Sequence, residues 1–311
     1  MVCAVLDKNR NGVWGERKKY KFSFATVTPT KIESLLAEKF LGGYPVVLSS
    51  GRSAIKLLVQ EFWTARELAV FQYASQCVVE AIQAAGVIPL SRTNLTSDIV
   101  YNQWGHLDIG CMAAPFIEDS CDTFLPAGST TLRLGAQFEV WSLPKILNSR
   151  FGAVVWCRNL EDAEHLIGVR DASKRGIMKK QFLRNFRNLS RWNYRIWQTS
   201  EFQTYNLSNF EYGNLFKDVV GWNKAYCERK ELMQSSFKIL SAKYFDYLDT
   251  QKEIATEALT QASPVLTFEL NNQNFSLLEI DENFQIMHKI ESGKKPKKVL
   301  VYKFLQKGSL K

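Results

Sequence analysis

Three short segments combine residue types that can do chemistry. In Phe138-Glu-Val-Trp-Ser142-Leu-Pro-Lys145-Ile-Leu, followed by Arg150-Phe-Gly152-Ala-Val-Val, a single lysine lies among apolar residues and a proline, between two apolar runs. Poor solvation there would lower the lysine's pKa and suit Schiff-base chemistry, whereas plain solvent exposure is the ordinary reading of one lysine in a turn. Pro115-Phe-Ile-Glu-Asp119-Ser-Cys-Asp122 is an apolar run that ends in acids. A carboxylate at the C-terminal edge of a central strand meets a ligand held in the crevice of an open α/β sheet, although acids also end strands for no further reason. Val46-Val-Leu-Ser-Ser-Gly-Arg-Ser-Ala-Ile-Lys56 reads as a buried strand, a turn of small residues and a helix. Backbone N–H groups at such a helix start can hold an anion such as a phosphate, and ordinary capping is the alternative.

The elements that must position these residues follow from the apolar patterning. From about residue 44 to 157, short β-branched or apolar runs alternate with helical patterns, as in an α/β layer. The expected strands are Pro45–Ser49, Leu68–Phe71, Val87–Leu90, Asp98–Asn102, Pro115–Glu118, Phe138–Ser142 and Ala153–Cys157. Helices are expected over Thr30–Phe40, Arg52–Trp63, Gln76–Ala85 and Leu160–Ile167, and residues 173–260 read as mostly helical. Beyond Pro264, Val265–Leu270, Phe275–Ile280 and Lys298–Tyr302 alternate as in a small antiparallel sheet. The expected division is an N-terminal arm (1–30), a large α/β domain (31–200) and a small C-terminal α+β domain (201–311).

Bulk composition narrows the function classes. With 311 residues, 46% hydrophobic and 23% charged, the chain can bury a sizeable core, which argues against disorder. No apolar run is long enough to span a membrane and Asp7 and Lys8 interrupt the first apolar residues, so a cytoplasmic protein is expected. The six cysteines form no CxxC pair and read as reduced core thiols, and the three histidines share no ligand spacing, so no metal site is expected. The net charge of +9 suits a nucleic acid, a membrane surface or an acidic small molecule such as a nucleotide sugar. Much of it lies in 179–191 and 294–298. In the first of these, Phe182, Leu183 and Phe186 at helical spacing favour an amphipathic helix with a solvated basic face.

Taken in order, the Ser-Gly-Arg-Ser-Ala turn, Asp119 on a strand, and Ser142 with Lys145 before a Gly-Ala-Val-Val strand resemble the DegT/DnrJ/EryC1 family of sugar aminotransferases. The run from Ala69 through Tyr73 to Gly86-Val-Ile-Pro-Leu is similar to that family's strand, aromatic and helix preceding an Ala-Gly-x-x-Pro strand start. The resemblance is concentrated between Tyr44 and Cys157. It implies a pyridoxal-phosphate fold-type I α/β enzyme, like aspartate aminotransferase, with pyridoxal 5'-phosphate as cofactor. Lys145 would bind the cofactor covalently and shuttle the proton, and Asp119 would pair with the pyridinium nitrogen, making the ring an electron sink. The backbone N–H groups of Arg52 and Ser53, with the Ser142 hydroxyl, would hold the phosphate, and Tyr73 is the aromatic candidate for stacking on the ring. Asp122 stands near the cofactor where the family tends to carry Gln or His. Trp192-Asn193-Tyr194-Arg195 is reminiscent of an element that reaches the cofactor phosphate of the neighbouring subunit, which implies a homodimer.

The implied activity is transfer of an amino group, from glutamate in most relatives, to a nucleotide-linked keto-deoxysugar for a surface polysaccharide or lipopolysaccharide. The region between Pro89 and Glu118 is shorter than in the family, as is the C-terminal lobe. Two rivals follow: a divergent member that binds pyridoxal phosphate or a nucleotide sugar without transaminating, and a basic nucleic-acid-binding protein for which no motif is present.

Overall fold

The computed structural model describes residues 27–72, 74–93, 96–102, 113–173, 190–243, 265–269, 284–289 and 297–303. Among these, helices begin where the sequence supplies caps. Thr28 accepts the Lys31 N–H before Pro29–Lys39 (α1), and Ser50 and Ser53 form a reciprocal capping box on Gly51–Phe62 (α2). Gln76–Ala84 (α3), the single turn Leu143–Ile146 (α4), Leu160–Ala172 (α5), Arg191–Glu201 (α6), Asn209–Val220 (α7) and Trp222–Lys243 (α8) follow. Strands run over Tyr44–Leu48 (β1), Glu67–Phe71 (β2), Ile88–Arg92 (β3), Ile99–Tyr101 (β4), Ile117–Asp119 (β5), Phe138–Ser142 (β6) and Ala153–Cys157 (β7). Val265–Glu269 (β8), Phe284–Lys289 (β9) and Lys297–Lys303 (β10) complete the chain order.

The first seven strands form one sheet in the order β1-β7-β6-β5-β4-β2-β3. Neighbours from β3 across to β6 pair parallel, whereas β7 is antiparallel to both β6 and β1. The C-terminal ends of β4, β5 and β6 therefore lie along one edge, where an open α/β sheet presents its ligand crevice. The α/β expectation holds. β5 covers Ile117–Asp119 rather than Pro115–Glu118, which puts Asp119 itself on the strand. The small sheet has the order β8-β10-β9, with β9 a strand absent from the sequence reading, while the expected 275–280 strand lies outside the described residues.

Both faces of the large sheet are covered, so its strands read as apolar runs rather than strict alternation. Val46, Leu48, Val140, Val155 and Cys157 pack under α2, α3 and α5. Val47, Trp141, Val154 and Trp156 face α1 and α7, together with Phe40 and Trp222. Phe40 sits edge-on to Trp141 and Trp222 at 4.9 and 5.0 Å. The described cysteines Cys77, Cys121, Cys157 and Cys227 are free, and no described helix is long and apolar enough to cross a membrane.

Carboxylates inside these layers accept hydrogen bonds from specific donors. Glu33 accepts the Val47 N–H at 2.8 Å and pairs with the buried Arg170. Glu118 and Glu139 stand opposite each other on the parallel strands β5 and β6. Glu118 accepts from Asn102 at 2.7 Å, and Glu139 accepts the Trp141 indole at 2.7 Å and the Leu132 N–H at 2.6 Å. Burial, then the charge of Glu118, raises the Glu139 carboxyl from its ordinary 4.5 to about 7.

The folded protein thus binds the Glu139 proton more tightly than the unfolded chain does. That stabilisation is complete below about pH 4.5 and is lost as pH rises to about 7. Each tenfold change in proton affinity is worth about 1.4 kcal/mol, so the loss amounts to about 3 kcal/mol. Urea unfolding at pH 5 and pH 8 should show this fall in the wild type and a markedly flatter dependence in Glu139→Gln; equal slopes would remove Glu139 as the source.

Candidate active site

A cavity of about 200 Å³ opens at the C-terminal edge of β4, β5 and β6. It is small beside the ~300–1,000 Å³ of common ligand pockets. Three structural units bring chemistry to it. The first is the β1–α2 junction, where Ser49, Ser50, Gly51 and Arg52 line the wall. Ser49 is held by its N–H on the Tyr205 carbonyl at 2.9 Å and its hydroxyl on the Thr204 carbonyl at 2.5 Å, so the loop after α6 fixes the start of α2. A Cβ added at Gly51 would lie 3.4 Å from Cys121 Sγ and 4.0 Å from Ser142 Cβ. Glycine there keeps a helix N-terminus open to the space beside the strand ends.

The second unit is the end of β5. Asp119 is buried, lines the cavity and accepts the Cys121 N–H at 3.1 Å. Burial raises its pKa, against the lowering by the Lys145 charge and the Cys121 contacts. Asp122, three residues on, accepts from the Tyr101 hydroxyl through Oδ2 and faces the Lys145 ammonium through Oδ1 at 3.1 Å.

The third unit is the reversal between β6 and β7. Ser142 ends β6, and one turn of helix with Pro144 in its first turn carries Lys145 into the cavity. Gly152 closes the reversal at φ +98°, a left-handed conformation that disfavours any side chain. Its N–H donates to the Ser49 carbonyl at 3.0 Å and its carbonyl accepts the Leu143 N–H at 3.2 Å. One glycine thereby joins the anion-facing junction to the lysine-bearing turn. Arg229 donates to the Lys145 carbonyl at 3.3 Å and packs its guanidinium over Phe124 at 4.8 Å.

Sequence reasoning expected a lysine with a lowered pKa. Burial does act in that direction, but the Asp122 charge is the largest influence opposing it, and the Lys145 pKa lies above its ordinary value. Of the site residues read from the sequence, Lys145, Asp119, Ser142 and Arg52 line one cavity, and Asp122 stands behind the lysine. Ser53 does not: it is fully buried, its N–H is taken up by the Ser50 hydroxyl at 3.2 Å, and its hydroxyl contacts Ser49 and Ser50. Gly51 supplies the wall instead. Arg52 turns its guanidinium over Trp197 at 5.1 Å. Tyr73 lies outside the described residues, as does most of the basic 179–191 segment. Asn193 is half-buried on α6 outside this cavity, while Trp197 and Glu201, one and two steps of four residues along the same face, line it. That i, i+4, i+8 spacing could have pointed to them, and Tyr101 could have been found as an aromatic ending a strand at the ligand edge. Cys121, Arg150 and Phe151 carried no separate signal.

Residues 38–286 match the model of a family described as "Putative PLP-dependent aminotransferase". No curated protein matches by sequence. Among solved structures, NtdA from Bacillus subtilis, with bound cofactor PMP, is similar at 13% identity and a TM-score of 0.55, over 91% of this chain and 73% of that one. A protein from Bacillus cereus ATCC 10987 described as "Putative PLP-dependent aminotransferase" is similar at 10% identity and a TM-score of 0.54, over 90% and 86%. DesV from S. venezuelae reaches 13% identity and a TM-score of 0.52, over 89% and 83%. At these identities the likeness is one of fold.

Replacing Gly152 by alanine should cost about 2 kcal/mol in urea unfolding, because backbone strain is joined by contact of the new Cβ, 3.2 Å from Leu143 and Leu215. Gly128 has a similar φ of +89° and a Cβ there would meet no atom of the described residues within 4 Å, so Gly128→Ala should cost less. Equal losses would mean that packing at the reversal contributes nothing.

Proposed function

The chain belongs to this family of PLP-dependent aminotransferases, and from that premise we propose that it moves an amino group from glutamate to the ketone of a nucleotide-linked deoxysugar, for a surface polysaccharide or lipopolysaccharide. One observation carries the assignment of the site: Lys145, Asp119 and the open N-terminus of α2 converge on a single cavity at the ends of parallel strands. The sugar as acceptor rests on the resemblance of the Ser-Gly-Arg-Ser-Ala, Asp119 and Ser142/Lys145 segments to the DegT/DnrJ/EryC1 aminotransferases, and the basic charge of the chain suits a diphosphate.

The donor set fits pyridoxal phosphate. The cradle at Gly51, which a Cβ would narrow against Cys121 and Ser142, suits a phosphate approached by backbone amides. Gly51, Arg52 and Ser142 would hold that phosphate, Asp119 the ring nitrogen, and Lys145 the reactive carbon. When bound, the cofactor supplies an aldehyde that takes up an amine and a ring that delocalises the electron pair left as a C–H proton departs.

Each protein group has a task that its surroundings permit. Asp119, ionised, favours a protonated ring nitrogen, and its buried position keeps water from competing for that contact. Lys145 Nζ would hold the cofactor's reactive carbon and, when neutral, would take the proton from the donor carbon and return it to the cofactor. Its single-turn mounting and the Arg229 contact to its carbonyl limit where Nζ can travel. Trp197 and Phe151 exclude water from the remaining wall. Asn193, outside this chain's own cavity, is assigned to the phosphate held by a second copy in a homodimer.

Adding pyridoxal phosphate should produce a visible absorbance band, and borohydride followed by peptide mass spectrometry should place the adduct on Lys145. Lys145→Ala should lose the adduct and about 10³-fold in turnover. Turnover at the wild-type rate in that variant would remove the assignment. Release of 2-oxoglutarate with a nucleotide-linked keto-deoxyhexose, but not with free keto acids, tests the acceptor; the reverse preference would refute the sugar.

A further inference from the structure

Lys145 meets a carboxylate whose two oxygens have separate tasks. Asp122 Oδ2 is taken by the Tyr101 hydroxyl, from the end of β4. Oδ1 is buried and meets no hydrogen-bond donor in ordinary geometry among the described residues, so the ammonium at 3.1 Å is its compensation. The side chain of Asp122 is 6% exposed and that of Lys145 is 38% exposed. The lysine therefore opens to the cavity while its counter-charge stays inside. Removing the positive charge would leave a buried carboxylate oxygen without a partner, which is strongly unfavourable.

From this arrangement we infer that Asp122 is a positioning residue that keeps Lys145 as an ammonium turned toward Oδ1, and so sets the pH at which the lysine becomes a nucleophile. The other groups facing Lys145 do not displace this pairing. Asp119 on β5 adds negative charge on the cavity side, and Cys121 and Tyr101 are neutral donors whose pKa values burial raises well above the ordinary range. Arg229, from α8, is a cation that reaches the lysine's backbone carbonyl and opposes the ammonium. The balance favours the charged lysine, consistent with the raised direction of its pKa, where Asp122 is the largest contributor opposing burial. Tyr101 assists indirectly. By donating to Oδ2 it holds the carboxylate with Oδ1 toward the ammonium.

The inference extends the reading of Lys145 as the cofactor lysine, yet its test is independent of cofactor. The full chain without pyridoxal phosphate is treated with acetic anhydride at a series of pH values, and acetylation of Lys145 is followed by peptide mass spectrometry. Lys224, with an 81% exposed side chain, serves as internal reference. In the wild type the midpoint of Lys145 acetylation should lie above that of Lys224. In Asp122→Asn it should fall by at least about one pH unit, which at neutral pH is about a tenfold rise in the Lys145 rate relative to Lys224. An unchanged midpoint in a folded Asp122→Asn protein would overturn the inference. If that variant does not fold, a wild-type midpoint at or below that of Lys224 overturns it equally. A midpoint that moves as expected in a protein that forms no borohydride adduct on Lys145 would uphold the role of Asp122 and remove the cofactor assignment instead.

Discussion

The site depends on the left-handed turn at Gly152. The antiparallel strand β7 must leave the edge at which β6 ends, and Gly152 makes that departure while its N–H holds the Ser49 carbonyl and its carbonyl holds the Leu143 N–H. Ser49 precedes the helix start that faces the cavity, and Leu143 begins the turn that carries Lys145. The separation of the two functional ends is thus set by two backbone hydrogen bonds through one residue. A non-glycine residue would have to adopt a conformation at φ +98° that its Cβ opposes.

Burial on both faces of the sheet accounts for how the charges are arranged. Apolar layers under α2, α3 and α5 on one side and α1 and α7 on the other leave little water for polar groups on the strands. Four buried carboxylates are accordingly found with specific partners: Glu33 with Arg170 and the Val47 N–H, Glu118 with Asn102, Glu139 with Trp141 and Leu132, Asp122 with Tyr101 and Lys145. An unpaired charge at these places would cost several kcal/mol. The same low dielectric that makes these pairings obligatory makes the electrostatics of Lys145 and Asp119 strong enough to govern proton position.

The alternation of apolar runs and helical patterns determined the α/β class and nearly all strands of the large sheet, because a strand buried on both faces and a capped amphipathic helix each leave a local signature. The order of three segments, Ser-Gly-Arg-Ser, Asp119 and Ser142/Lys145, marked residues that do share one cavity. Local patterning had no means of showing that Ser53 spends its N–H on a cap while Gly51 forms the wall, since both lie in the same turn. Nor could it show that Tyr101, Trp197 and Glu201 join the site, as they come from elements distant in the chain and meet only through packing. The state of Lys145 was decided by tertiary structure too. Its sequence neighbours are apolar and imply a weakened ammonium, but Asp122, 23 positions earlier, arrives at 3.1 Å because β5 and β6 are adjacent and parallel. Electrostatic energy depends on distance in space, and only the register of the sheet determines that distance.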